Sequence, residues 1–110
     1  MTAKEAIVII VDRGKADSIV KEAKKAGARG ATVFYGRGTG QHEAKKFWNI
    51  NVESSKEAIL ILCKTSETKN IISTVVEAGN LKEPGKGIVF TMPVNGIIGF
   101  TDQYIIKNNK

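Results

Sequence analysis

Two glycine clusters have the residue types of an anion site. Gly36-Arg37-Gly38-Thr39-Gly40 and Pro84-Gly85-Lys86-Gly87 each free successive backbone N–H groups to approach a phosphate, and each sets a cation among them. The first follows a strand-like run and opens no helix, so it is neither a Walker loop nor a dinucleotide fingerprint, both of which need one. On composition alone a flexible loop stem is the favoured reading of the first cluster, while for the second a tight turn with a solvated lysine explains the residues as well as a phosphate cradle does. From the residues alone both pairs of readings stay open.

The rest of the reactive inventory is thin. Cys63 ends an apolar run and reads as a buried structural thiol. His42 stands beside Glu43 with no second histidine or nucleophile to complete a dyad. Asp12 and Asp17 flank the start of a helical pattern, where capping and the helix dipole account for them. With one Cys and one His there is neither an internal disulfide nor a zinc cage, and no paired carboxylates suggest acid–base work. No catalytic residue and no metal ligand are assigned, and the protein is expected not to be an enzyme. Phe47 and Trp48, next to Lys45 and Lys46, either mark a contact surface for a partner or fold back onto their own core.

These groups sit in a chain of 110 residues, 42% hydrophobic and 25% charged, with a net charge of +6. At roughly 100–200 residues per domain this is one globular domain, residues 1–110, with a charge that favours an anionic partner. No apolar run approaches the ~20 residues that span a bilayer, and Met1–Ala6 leads into a strand rather than a signal peptide, so a cytoplasmic location is expected. The basic residues are scattered over Lys21, Lys24, Lys25, Lys45, Lys46, Lys107 and Lys110. The apolar runs carry none of the stacking aromatics of RNA-recognition sheets, so direct nucleic-acid binding is not expected.

The elements that must position the clusters follow from an internal repeat. Ala6–Gly27 aligns without gaps on Ala58–Gly79, with identities at Ala6/Ala58, Ile7/Ile59, Ile9/Ile61, Ile19/Ile71, Ala26/Ala78 and Gly27/Gly79. Each copy opens with a β-branched run, Ile7–Val11 or Ile59–Cys63, that predicts a core strand. Each continues with helical spacing, through Ala16, Ile19, Val20, Ala23 and Ala26 or through Thr68, Ile71, Ile72, Val75 and Val76. Gly27 and Gly79 are expected to stop the helices in the left-handed conformation. A third apolar element follows each stop, at Ala31–Tyr35 and Ile88–Val94.

The order βαββαβ predicts a ferredoxin-like α+β fold: an antiparallel four-stranded sheet with two helices on one face. Between the halves a long loop is expected over Gly36–Lys56, and loops of that length are usually functional. After Val94, Ile97-Ile98 and Tyr104–Ile106 could add a hairpin or pair with a neighbouring subunit. The sheet face without helices needs a cover, and oligomerisation is the simplest one.

With the repeat, the long loop and the glycine clusters in place, the chain resembles the nitrogen regulatory protein PII family over roughly Glu5–Gly99. The resemblance rests on Gly27–Val33 (GARGATV), the G-x-G at Gly36–Gly38, Lys56, and Gly85–Phe90 (GKGIVF) ahead of Pro93-Val94. It implies a homotrimer that binds adenine nucleotides, ATP, ADP or AMP and with Mg²⁺ in some states, in clefts between subunits. It further implies a regulator of nitrogen or related metabolism whose T-loop, Gly36–Lys56 here, docks on an enzyme, a regulator or a membrane transporter. By the same resemblance Thr32 reads the adenine, Gly38 and Thr39 pass the phosphates, Lys56 stands at the second loop base and Leu62 contacts the base. Gly85, Lys86 and Gly87 then form the B-loop around the phosphates, and Lys45, Lys46, Phe47 and Trp48 are the candidate target-binding residues of the T-loop.

The departures from the family pattern are specific. The B-loop's middle acid is Lys86 and its lysine is Ile88; the C-terminal arginines fall near Gly99 and Thr101, where no cation stands. The T-loop holds no tyrosine, since the chain's two are Tyr35 and Tyr104, and the glutamine that supports 2-oxoglutarate binding is replaced by Gly40. These changes mark a divergent member, with uridylylation not expected. The alternative from another class is a divalent-cation-tolerance-like trimer of the same fold, binding metal or serving structurally.

Overall fold

The computed structural model describes residues 3–38 and 54–99. Their elements run β1 (Lys4–Asp12), α1 (Ala16–Lys25), β2 (Thr32–Gly38), β3 (Ser54–Lys64), α2 (Thr65–Gly79) and β4 (Ile88–Val94). The strands form one antiparallel sheet in the order β2-β3-β1-β4. This is the ferredoxin-like βαββαβ arrangement that the repeat predicts.

The repeat explains the centre of the sheet. Its two copies supply β1 and β3, which pair antiparallel with Ile7 opposite Ile61 and Ile9 opposite Ile59. Each copy therefore offers the other the same residues, and the pairing is a local two-fold. Period-two alternation sends Ile7, Ile9 and Val11 of β1, and Ile59, Ile61 and Cys63 of β3, to the helix side, where all are buried. Ile19 and Ala23 of α1, and Ile71 and Val75 of α2, close over them. Among the described residues six isoleucines are fully buried, each contributing about 1.5–3 kcal/mol of apolar burial.

The two helices start and stop by different means. Nothing on α1 itself caps its first turn; instead Glu57, buried on β3, accepts the N–H groups of Gly14 at 3.1 Å and Ala16 at 2.8 Å. Asp12, expected to cap there, turns its side chain to Lys56, while Asp17 lies in the first turn as expected. At the head of α2, Glu67 accepts the Lys64 N–H at 3.0 Å and also holds Arg29 Nη1 at 3.1 Å. Gly27 takes φ 122 after α1. Gly79, by contrast, remains helical, and Asn80 (φ 53, ψ 42) makes the left-handed stop, so the expected role of Gly79 is corrected. A Cβ on Gly79 would lie 3.1 Å from Ile19 Cδ1; this glycine serves helix–helix approach instead.

A second correction concerns the long loop. Gly36, Arg37 and Gly38 pair with Lys56, Ser55 and Ser54 as ladder rungs of β2 and β3. Glycine and serine carry little strand propensity, so these rungs read as loop in the sequence; pairing between two adjacent arms extends the ladder through them. The loop between the strands is therefore shorter than Gly36–Lys56. Thr39, Lys45, Lys46, Phe47 and Trp48, with His42, lie outside the described residues, as does Tyr104–Ile106 of the expected C-terminal hairpin. Ile97 and Ile98 are not in a strand.

The other face of the sheet carries no helix. Phe34 on β2 and Ile88, Phe90 and Met92 on β4 stand exposed on it, alongside Val8 and Leu60, which the register places beside Phe90 and Thr32. No helix among the described residues is long and apolar enough to cross a membrane.

Candidate functional site

The site is built along the β2–β3 edge. Thr32 opens β2 opposite Leu60, and its side lines a cleft of about 400 Å³ together with Leu60, Leu62, Arg29, Ile98 and Gly99. Thr32 and Leu62, predicted to read one base, therefore meet in one cleft. The cleft combines two leucines, an exposed Ile98, a hydroxyl and a guanidinium, a suitable surface for a flat, partly polar ring. Arg29 is braced on Glu67, which fixes its position at the rim.

Further along the same pair of strands, Gly38 and Lys56 come together. A Cβ at Gly38 would lie 3.7 Å from Lys56 Cγ, and Gly36 faces Lys56 directly across the ladder, so the lysine stem runs beside two side-chain-free positions. Its ammonium meets Asp12 Oδ1 at 2.7 Å from the neighbouring β1. From Thr32 to Gly36, the residue opposite Lys56, the strand rises ~3.3 Å per residue, which puts the hydroxyl and the lysine roughly 13 Å apart along the strand pair.

Gly85, Lys86 and Gly87 lie at the same end of the sheet as Lys56, because Ile88 pairs with Ile10 while Asp12 pairs with Lys56. They are on the opposite edge, however. With strands ~4.8 Å apart, β4 stands roughly 14 Å from β2 within one subunit, so a single chain does not bring the two glycine clusters together. Lys86 is exposed, and its N–H donates to Glu83 O at 3.3 Å in a turn that begins with Glu83 N–H on Asn80 O at 3.1 Å. Gly87 has a structural reason of its own: at φ 139, a Cβ there would sit 2.5 Å from Ile10 O.

Sequence reasoning missed several residues. Asp12 pairs with the candidate lysine rather than with a helix. Arg13 stacks over the Tyr35 ring at 5.0 Å, placing an aromatic cation pair beside the loop base. Glu57 would have been legible, since it falls in phase with Ile59, Ile61 and Cys63 and so had to project into the core. Cys63 is buried as expected, and its thiol is pushed up from 9.0, chiefly by desolvation; its sulfur lies 3.4 Å from Thr68 Oγ1.

Fold and site together define a ferredoxin-like α+β protein with a ligand-sized cleft on one sheet edge and an open apolar face. The profile of the family described as Nitrogen regulatory protein P-II matches residues 4–103, and the chain belongs to that family. Among solved structures, PII of Arabidopsis thaliana bound to citrate is similar, with a TM-score of 0.71 and 23% identity over 92% of this chain and 83% of that one. No curated protein was matched.

Proposed function

We propose that this protein is a homotrimeric PII-like regulator that binds an adenine nucleotide, ATP, ADP or AMP, in clefts between its subunits. It acts on a target protein, an enzyme, a regulator or a membrane transporter, through the loop that β2 and β3 present, in nitrogen or related metabolism. The observation that carries this reading is the shared cleft of Thr32 and Leu62, with Gly38 and Lys56 on the same edge. Base and phosphates would lie along one strand pair, and any Mg²⁺ would enter with the phosphates. Lys86, on the far edge of its own sheet, would reach the phosphates of a ligand held by a neighbouring subunit, with Gly85 and Gly87 shaping the turn around it. The exposed apolar face supplies the surface on which subunits would meet. Ligand contacts at both strand arms favour one state of the loop between them, and the target reads that state.

Titration calorimetry with ATP, ADP and AMP, with and without Mg²⁺ and 2-oxoglutarate, tests the proposal alongside a mass by light scattering. Because the Arabidopsis protein was solved with citrate, citrate belongs in the series as a polyanion without a base. One nucleotide per subunit of a trimer is the expected result. No binding by any of the three nucleotides overturns the nucleotide reading.

A further inference from the structure

Lys56 and Asp12 face each other across the β1–β3 register, and their contact at 2.7 Å joins two groups of unequal freedom. The lysine side chain is 19% exposed and the aspartate 48%. The ammonium is confined by the sheet, while the carboxylate ends β1 and can turn into water at little cost. A confined cation with a releasable counter-ion is an anion site occupied by the protein's own carboxylate.

We infer that Asp12 masks Lys56 against phosphate ligands and thereby sets the affinity of the site proposed above, on whose reading this inference rests. A phosphate arriving beside Gly38 competes with Asp12 for the Lys56 ammonium, because the stem of the lysine packs along the glycine edge and its head already holds a carboxylate. The exchange is a competition between two anions for one ammonium, with no bond made or broken. A multiply charged phosphate gains more from that ammonium than a single carboxylate does. Displacement also frees the last residue of β1, whose carbonyl accepts the Lys15 N–H at 3.2 Å, so the turn into α1 is the segment that ligand entry would disturb first.

The test measures the affinity of pyrophosphate and of ADP for the full chain and for Asp12→Asn, Asp12→Ser, Lys56→Ala and the double variant Asp12→Asn/Lys56→Ala, with circular dichroism checking each fold. Unmasking is expected to tighten pyrophosphate roughly fivefold, the size set by a partly exposed ion pair. The gain should appear in both Asp12 variants and vanish in the Lys56→Ala background, as two groups acting on one another require. Equal pyrophosphate affinity in the wild type and the Asp12 variants, including equal absence of binding, overturns the masking role. Failure of the nucleotide reading itself shows separately, as ADP binding no more tightly than pyrophosphate.

Discussion

The Glu57 carboxylate, buried on β3, accepts the backbone N–H of Ala16 at 2.8 Å and so starts a helix that lies far from it in sequence. The first turn of α1 has no side-chain cap of its own, and a helix leaves its first N–H groups without partners. Replacing Glu57 by Ala strands the buried Ala16 donor and takes the acceptor from the part-buried Gly14 N–H, a cost of about 1–3 kcal/mol. Glu57→Gln keeps an acceptor oxygen and is expected to cost distinctly less. Urea unfolding of the two variants measures the difference; equal losses would show that the charge, not the acceptor, matters.

Gly87 and Gly85 belong to one motif and should respond differently to alanine. At Gly87 a Cβ would enter the space of Ile10 O at 2.5 Å and of Val11 Cγ1 at 2.9 Å, on a backbone at φ 139. The obstacle is strand backbone, which cannot turn aside, so Gly87→Ala is expected to cost more than 2 kcal/mol, roughly the sum of overpacking and left-handed strain. Gly85 sits at φ 80, where strain alone costs about 1–2 kcal/mol. Thermal unfolding of the two variants gives the order; a milder Gly87→Ala would mean that β4 shifts to make room.

The central pair of strands, both helices and the edge strand β4 follow from apolar periodicity, because Ile7, Ile9, Ile59 and Ile61 had one face to bury and the repeat set them in register. The arms Gly36–Gly38 and Ser54–Lys56 did not, because their strand state comes from pairing with each other and not from their own residues. Thr32 and Leu62 were legible only through the resemblance, since nothing local in either residue announces a cleft. Asp12 was misread as a cap because its partner Lys56 is distant in the chain, whereas Glu57 was readable from its phase within β3. The Asn80 stop was hidden by the neighbouring Gly79, the residue that composition favours for the same role.

The Cys63 thiol sits in the core between β3 and α2, and burial raises it from 9.0, with Thr68 opposing and Glu67 and Glu5 adding to the rise. The sign follows from linkage: above about pH 9 the unfolded chain loses the thiol proton while the folded chain keeps it, so alkali favours unfolding. This contribution to stability is complete below pH 9.0 and is lost as pH climbs toward the folded value. The urea midpoint of the wild type should therefore fall more between about pH 8 and about pH 10 than that of Cys63→Ala. Parallel slopes would place the thiol in water. The same burial predicts slow alkylation of Cys63 in the native protein and fast alkylation after unfolding.

Phe90 stands on the helix-free face of β4, opposite Val8 and still 41% exposed, between Ile88 and Met92. A ring in that position contributes nothing to the core on the other side of the sheet, whose packing rests on Ile7, Ile9, Ile59 and Ile61. Its large apolar surface gains only by meeting another surface, which makes it an anchor of the kind that dominates protein contacts. Phe90→Asp adds a charge that water accommodates in an isolated subunit and that an apolar contact cannot. Light scattering is expected to report a trimer for the wild type and a monomer for the variant, with the helical circular dichroism of the two alike. Nucleotide binding should weaken along with the assembly, since Lys86 and the Thr32 edge would no longer meet across a shared cleft. A variant that stays trimeric would show that the subunits join elsewhere, and the cleft would then have to be completed from a different edge of the sheet.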